Sequence, residues 1–250
     1  MTRVLKIGGR VQTDPGLANA IRAATATDRV VVVHGGGDEV SALQRRLGVT
    51  PRFRGGRRIT TRDDLELVQM VLSGSANKRL VAALVGEDVR AVGISGEDDG
   101  LVRARATARE TLGEVGTPTG VDARLLELLI ADGVVPVISP LARDEATGLP
   151  LNVNGDDAAA AIAVAIAADE LVLVADVPGV IADGVVLPDL DLEQAVALID
   201  NGTARDGMAA KLHAARRAVE LGVARVRIGN IAAIRSATAG TVITFSPTTV

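Results

Sequence analysis

Arg29-Val30-Val31-Val32-Val33-His34-Gly35-Gly36-Gly37 is the stretch that decides the fold class. Four successive valines show no polar alternation, which is the pattern of a strand covered on both faces, as in a parallel sheet flanked by helices. The run ends abruptly in a histidine and three glycines, and Asp38–Leu47 then has a helical pattern. A buried strand, a glycine turn and a helix make half of a βαβ unit. Upstream the same order appears: Val4-Leu5-Lys6-Ile7 reads as a strand, Gly8-Gly9 as a turn, and Pro15–Ala26 as a helix.

Downstream the alternation continues. Arg52–Thr60 holds a Gly-Gly turn and is expected to be a hairpin or loop. Thr61 to Val85 reads as one long helix, with Thr61 as cap and acids in its first turn. Strands are expected at Arg90–Ile94, Val134–Ser139, Leu151–Val153, Glu170–Ala175, Val226–Ile228 and Thr241–Phe245. Helices are expected at Asp122–Ala131, Asp157–Ala168, Leu192–Asn201 and Gly207–Leu221, and short strands and turns within Leu101–Val121. No linker or low-complexity stretch interrupts the pattern. The expectation is an α/β protein, an αβα sandwich around a mainly parallel open sheet, with any boundary near residue 168 running through that one sheet.

Composition narrows the function. The chain has 250 residues and a formal net charge of −4, with two phenylalanines and no tryptophan or tyrosine. A duplex binder needs a basic face and a single-strand binder needs stacking aromatics, so nucleic acid is not an expected partner. The absence of cysteine removes disulfides, thiolate metal sites and a cysteine nucleophile. His34 and His213 are the only histidines, too few for a multi-histidine metal centre, and no metal-binding residues are expected. The longest apolar stretch, Ala158 to Ala168, falls well short of the roughly 20 residues of a membrane span. With a strand beginning almost at Met1, no secretory signal is read, and a cytoplasmic location away from membranes is expected.

Only three of the 27 basic residues are lysine: Lys6, Lys78 and Lys211. Lysine presents a compact charge on a flexible stem, which arginine's planar fork does not reproduce. All three stand beside glycine or small polar residues, where ammonium groups and exposed amides together can hold phosphate. Lys78, in an Asn-Lys-Arg run, reads equally well as a solvated helix face. The loops after the first two strands carry Gly8-Gly9 and Gly35 to Gly37; in an open parallel sheet both open at the carboxyl edge, where ligands bind. There is no Gly-Lys pair for a Walker-type loop and no G-x-G-x-x-G after a strand. The His34–Gly37 run is like the oxyanion loop of lipases, but Gly93-Ile94-Ser95-Gly96-Glu97 fails as a nucleophile elbow at its fifth position. His34 is expected to be structural and His213 to lie on a helix face. Asn152 and Asp156 could also be helix caps, and Asp98 and Asp99 turn residues.

In chain order, Lys6-Ile7-Gly8-Gly9, His34 to Gly37, Gly56-Arg57-Arg58-Ile59-Thr60, Asn77-Lys78, Asn152-Val153-Asn154-Gly155-Asp156, Asp176-Val177-Pro178-Gly179 and Asp206-Gly207-Met208 with Lys211 form a set. This set resembles the amino-acid kinase family over residues 3 to about 245. The resemblance implies two lobes sharing one sheet, residues 1–168 for an acyl substrate and 169–250 for ATP. It is greatest to members that transfer the γ-phosphoryl of ATP to the side-chain carboxylate of N-acetyl-L-glutamate, in arginine biosynthesis.

By that resemblance Lys6 and Lys211 stabilise the migrating phosphoryl group and Asp156 orients both. Gly8, Gly9, Gly36 and Gly37 supply backbone donors, the first two toward ATP and the others toward the acyl substrate. Arg58 and Asn152 hold that substrate. Asp176, Val177, Pro178, Gly179, Val180 and Ile181, with Thr203, Ala204 and Arg205, line the nucleotide site. Mg²⁺ is expected to come bound mainly through the ATP phosphates. The chemistry suits a chain with almost no histidine, because a glutamate side chain, with a reference pKa of about 4.3, is already ionised and needs no general base. Many members carry a basic residue where Glu97 stands, and a proline where Ala210 stands. A homodimer without arginine feedback is expected. The alternatives are a kinase for a carrier-protein-linked aminoadipate or glutamate, a uridylate kinase, and a catalytically silent nucleotide-binding regulator.

Overall fold

A computed structural model describes residues 1–245; the last residues of the expected closing lobe, 246–250, lie outside the described residues. The chain opens with β1 (Thr2–Ile7), α1 (Leu17–Thr25), β2 (Arg29–His34), α2 (Gly37–Arg46) and a hairpin of β3 (Phe53–Arg54) and β4 (Arg57–Arg58). It continues through α3 (Arg62–Gln69), α4 (Asn77–Gly86), β5 (Ala91–Ser95), β6 (Val102–Ala106), the single turn α5 (Arg109–Leu112), β7 (Val115–Val121), α6 (Arg124–Ala131), β8 (Val135–Ser139), β9 (Leu141–Asp144) and β10 (Pro150–Val153). The remainder is α7 (Gly155–Ala165), β11 (Glu170–Val174), β12 (Ile181–Ala182), β13 (Val185–Val186), β14 (Asp189–Asp191), α8 (Leu192–Asp200), α9 (Asp206–Glu220), β15 (Val226–Gly229), α10 (Ala232–Arg235) and β16 (Thr241–Thr244).

Eight strands form one sheet in the order β14-β16-β15-β11-β1-β2-β8-β5. The six from β15 to β5 are parallel, and β16 pairs antiparallel with β15. The valines of β2 explain why: Val31 and Val33 enter one core, while Val30 and Val32 enter the other. Successive strand side chains point to opposite faces, so an all-apolar strand is what two helical layers require. One layer holds α6, α7, α8 and α9 through Leu126, Ala159, Ile162, Ala195 and Leu212; the other holds α1, α4 and α10 through Ile21, Leu84 and Ile234. Each fully buried valine or leucine stabilises the fold by about 1.5–3 kcal/mol. The short strands β6, β7, β9 and β10 close on themselves as a small four-stranded barrel beside the main sheet.

The long helix expected from Thr61 to Val85 is instead two α-helices joined by a π-helical segment, Met70–Ala76. Thr61 caps α3 as expected, its Oγ1 accepting from the Asp64 amide at 3.1 Å while the Asp64 carboxylate accepts from Thr61 N. The wider turn changes the phase of the apolar face. Leu65 and Val68 of α3 face a satellite cluster with Val40 and Leu141, whereas Leu80 and Leu84 of α4 face the main core. A regular helix through Gly74 would keep one stripe facing one way. Among the described residues, no helix is long and apolar enough to cross a membrane.

Candidate active site

The site lies at the carboxyl edge of the sheet, where β1, β2 and the start of α7 meet. Lys6 stands opposite Val33 and Leu173 in the register and shares the face of Val4, the face covered by α7. Its Nζ is 2.9 Å from Asp156 Oδ1. Gly155 makes room: a Cβ there would lie 3.2 Å from Lys6 Cε. From the opposite end of the chain, α9 brings Lys211 Nζ to 3.1 and 3.2 Å from the two Asp156 oxygens. All three side chains are almost wholly buried.

The helix that carries Asp156 begins two residues earlier than expected. Neither Asn152 nor Asp156 is its cap; Asn154 is, with Oδ1 accepting from the amides of Asp156 at 2.8 Å and Asp157 at 3.3 Å. Two carboxylates in a first turn suit the positive end of the helix dipole. Their environments push them apart. Burial pushes Asp156 up, but the two ammoniums outweigh it and leave the carboxyl below its ordinary value. Burial pushes Asp157 up, and there the neighbouring guanidiniums of Arg217 and Arg57 do not compensate. Burial, with repulsion from Lys6, lowers Lys211 to about 8, against the pull of Asp156.

Next to this triad is a cavity of about 210 Å³ lined by Gly36, Gly37, Arg58, Asn152, Val153 and Gly155. Arg58 is buried and fixed by the protein: Nη1 donates to Gln44 Oε1, and Nη2 donates to Gly37 O and Ser41 Oγ. Its guanidinium lies 4.7 Å from the centre of the Phe53 ring, a cation–π contact. Asn152 Nδ2 donates to Thr60 Oγ1 at 3.0 Å, which leaves its amide oxygen for the cavity side. Gly8 donates its amide to Val174 O at 3.0 Å, so that amide shapes the turn and is not offered to a ligand. Among the described residues no acceptor is found for the amides of Gly9, Gly36 and Gly37. Gly9 packs directly on Gly36, a Cβ there lying 3.5 Å from Gly36 N, so the two glycine loops form one surface. Such loops bind anions through their amides.

Residues 1–230 match the model of the amino acid kinase family. An acetylglutamate kinase from Roseiflexus castenholzii is 43% identical over 236 residues, covering 92% of this chain and 90% of that protein. The chain belongs to the amino acid kinase family. An acetylglutamate kinase from Geobacillus kaustophilus is 40% identical, covering 91% and 89%. The crystal structure of smu.665 from Streptococcus mutans UA159 superposes with a TM-score of 0.89 at 31% identity, covering 98% of this chain and 99% of that one.

Other residues expected at the site of an amino acid kinase fall in two segments. Asp176 to Ile181 follow β11, again at the carboxyl edge. Asp176 accepts from Arg10 Nη1 at 3.2 Å, and both line a cavity of about 440 Å³ with Asn230. Gly179 is pressed on Thr241, and Val180 donates its amide to Thr241 Oγ1 at 2.8 Å while its side chain is buried in the core. Thr203, Ala204 and Arg205 lie just before α9 and are tied to the end of α8 through Leu198 O, Asn201 Oδ1 and Gly202 O. No hydrogen bond joins these two segments among the described residues.

Lys78 stands apart from Lys6 and Lys211: its ammonium donates to the Gly93 carbonyl of the edge strand β5 at 2.8 Å. His34 is structural. Its Nδ1 lies 2.7 Å from Gly35 O as donor, and its Nε2 accepts from the buried Asn77 amide at 3.1 Å. Burial lowers its pKa to about 4, so it is neutral near pH 7. Glu97 accepts from Gln69 Nε2 at 3.1 and 3.3 Å, and burial raises its pKa. Sequence reasoning missed Gln44, Ser41 and Asp64, the chain of partners that holds Arg58, with Gln44 Nε2 donating to Asp64 Oδ1. Nothing in a helical run such as Ser41-Ala42-Leu43-Gln44 distinguishes an inward polar residue from an outward one.

Proposed function

We propose that this chain transfers the γ-phosphoryl group of ATP to the side-chain carboxylate of N-acetyl-L-glutamate, giving an acyl phosphate and ADP in arginine biosynthesis. The observation that carries the reading is the Asp156 carboxylate shared by the Lys6 and Lys211 ammoniums beside two glycine loops. The 43% identity to a protein named acetylglutamate kinase supplies the substrate.

The chemistry needs little from the protein besides placement and charge. A carboxylate oxygen attacks the γ-phosphorus, the bond to the β,γ-bridging oxygen breaks, and ADP leaves with that electron pair. The nucleophile is already an anion, so the obstacle is bringing it to a polyanion. Ammoniums aimed beforehand at the phosphoryl oxygens, and amides that need no reorganisation, lower that barrier by electrostatic stabilisation. Asp156 keeps two like charges together in a buried place. Arg58, locked by Gln44, Ser41 and the Gly37 carbonyl, presents its remaining edge to the α-carboxylate, and Asn152 presents its amide oxygen to the acetamido N–H. Asp176 to Ile181 and Thr203 to Arg205 border the nucleotide, with Gly9 toward its phosphates.

Mg²⁺ belongs to the reading as an ion carried by the nucleotide. Among the described residues no group of three or more acidic or histidine side chains is placed to hold it, and Asp156 is engaged by both lysines. Bound, it would screen the phosphate charges; no residue of the chain is assigned to it. The division into an acyl-substrate lobe, 1–168, and an ATP lobe, 169–250, and a homodimer insensitive to arginine, complete the proposal. A hexamer in gel filtration, or inhibition by arginine, removes the last point.

An ADP-release assay with N-acetylglutamate, glutamate and aminoadipate side by side tests the substrate. Turnover with the acetylated amino acid and little with the free ones is expected. Activity only on glutamate or aminoadipate, or on none of the three, overturns it.

A further inference from the structure

The first turn of α7 carries a second, parallel ion cluster one residue beyond the catalytic one. Asp157 Oδ2 is 3.2 Å from Arg57 Nη2, and Asp157 Oδ1 pairs with Arg217 Nη2. The carboxylate is buried, whereas the two guanidiniums are partly exposed. Consecutive residues of an α-helix point about 100° apart. Asp156 thus gathers the lysines on one side, and Asp157 gathers arginines on the next. Arg57 also donates to Thr117 Oγ1 of β7 at 3.3 Å.

What the cluster joins gives it meaning. Arg57 adjoins Arg58 in the hairpin that walls the acyl cavity, and Arg217 lies on α9, the helix that supplies Lys211. Between hairpin and helix runs a groove of about 660 Å³, which shares Gly56, Arg57 and Asn154 with the acyl cavity. The hairpin itself is slight. Each strand has two residues, Gly55 and Gly56 make its turn at φ 54° and 72°, and Phe53 to Gly56 are exposed. Its tip has no core of its own, so side-chain ties decide where it sits.

We propose that Asp157 is a positioning residue that clasps the Arg58 hairpin to α9 across this groove and so sets the affinity for the acyl substrate. The inference rests on the acyl-substrate reading of the Arg58 cavity. Losing the clasp leaves the chemistry at Lys6, Asp156 and Lys211 in place but lets the hairpin swing. The signature is therefore a change in substrate binding and hairpin mobility, not in the reaction step.

The test compares the full-length protein with Asp157→Asn, Arg57→Met, the double variant and Asp157→Glu. Turnover of N-acetylglutamate by the unaltered protein is measured first. Each single variant is expected to raise the KM for N-acetylglutamate about tenfold and leave the KM for ATP and kcat within about twofold. The double variant is expected to fall short of the sum of the two single losses, because both substitutions break the Arg57–Asp157 link while each also loses a separate partner, Arg217 or Thr117. Asp157→Glu should restore part of the loss. Amide hydrogen exchange over residues 53–58 should speed up in Asp157→Asn at unchanged exchange in β1 and β11. An unchanged acyl KM overturns the proposal even with faster exchange, as does an equal rise in the KM for ATP or strict additivity of the two substitutions. Should the unaltered protein not turn over N-acetylglutamate, the substrate reading fails, and the exchange measurement alone decides the clasp: unchanged rates overturn it.

Discussion

The Lys211 ammonium rests on both oxygens of the Asp156 carboxylate, at 3.1 and 3.2 Å, although the two residues belong to different helices. Lys6 completes the arrangement at 2.9 Å. Replacing Asp156 by Asn keeps the shape and removes the only counter-charge recorded for either ammonium among the described residues. Removing one partner of a buried ion pair costs about 3–5 kcal/mol. Urea unfolding at neutral pH should show a loss of that order, smaller at high pH, where Lys211 sheds its proton instead. Turnover should fall by about a hundredfold or more, because the ammoniums no longer converge. Wild-type turnover in Asp156→Asn would remove this carboxylate from the proposed chemistry.

The depressed Lys211 predicts an alkaline limb in the activity. Its folded-state value of about 8 lies below the ordinary lysine value of 10.5, so the free protein loses this positive charge as pH rises through about 8. A pH profile of kcat/KM for ATP reports the free protein and should decline above that point. Stability responds with the opposite sign. Between about 8 and 10.5 the unfolded chain holds the proton and the folded chain does not, so this residue makes folding more favourable as pH rises. Lys211→Arg should abolish the alkaline limb, since arginine stays charged, while losing most turnover at every pH and still binding ATP. An alkaline limb that persists in Lys211→Arg assigns it to another group.

Much of this site was legible because glycine, lysine and acidic residues stand where strands end. Val30 to Val33 announced two helical layers, and the two glycine loops pointed to the sheet edge where Lys6, Asp156 and Lys211 meet. The scarcity of lysine was a useful signal. Glu170 at the opposite edge of the sheet is held by Arg3 at 2.9 Å and Arg227 at 2.7 Å, a purely structural cluster built from planar forks. At the carboxyl edge the Asp156 carboxylate is instead held by point charges, Lys6 and Lys211, the groups assigned to the migrating phosphoryl group in the proposed reaction. Lys78 shows the limit of that reasoning, since it serves a strand carbonyl. What could not be read depends on phase and distance. The π segment at Met70–Ala76 has no residue pattern that separates it from a regular helix. Asp157 looks like one more first-turn acid until the hairpin and α9 are folded against it.

His34 predicts an acid-side instability without an effect on the reaction step. Its folded value of about 4 lies below the ordinary histidine value of 6.5, because burial disfavours the imidazolium. The stabilising contribution is complete above about 6.5 and is lost as pH falls toward 4, where the unfolded chain takes up a proton that the folded chain does not. Denaturant midpoints between pH 7 and 4 should fall more steeply in the natural chain than in His34→Gln. Equal slopes would mean that His34 is not buried as a neutral donor to the Gly35 carbonyl.

Gly36 and Gly37 are adjacent and both line the acyl cavity, yet their substitutions should fail differently. Gly36 sits at φ 151°, and a Cβ there would come within 2.7 Å of Leu72 Cδ2 in the π segment. Alanine at 36 therefore meets backbone strain of about 1–3 kcal/mol together with a clash. Leu72 cannot retreat freely, because it packs in the satellite cluster with Val40 and Leu65. At Gly37 the nearest atom to a new Cβ is Arg58 Nη2 at 3.7 Å, an ordinary contact. Gly36→Ala should lower the melting temperature by several degrees, at about 2–4 °C per kcal/mol for a chain of this size. Gly37→Ala should melt near the natural temperature and instead raise the KM for the acyl substrate, since its methyl group lies beside the Arg58 guanidinium. Because Leu72→Ala itself opens a cavity in that cluster, the comparison is made in its background: there Gly36→Ala should cost less than in the natural chain, since the clash is gone and the strain remains. No cost at all in the Leu72→Ala background would mean that the backbone at Gly36 is not held at its positive φ.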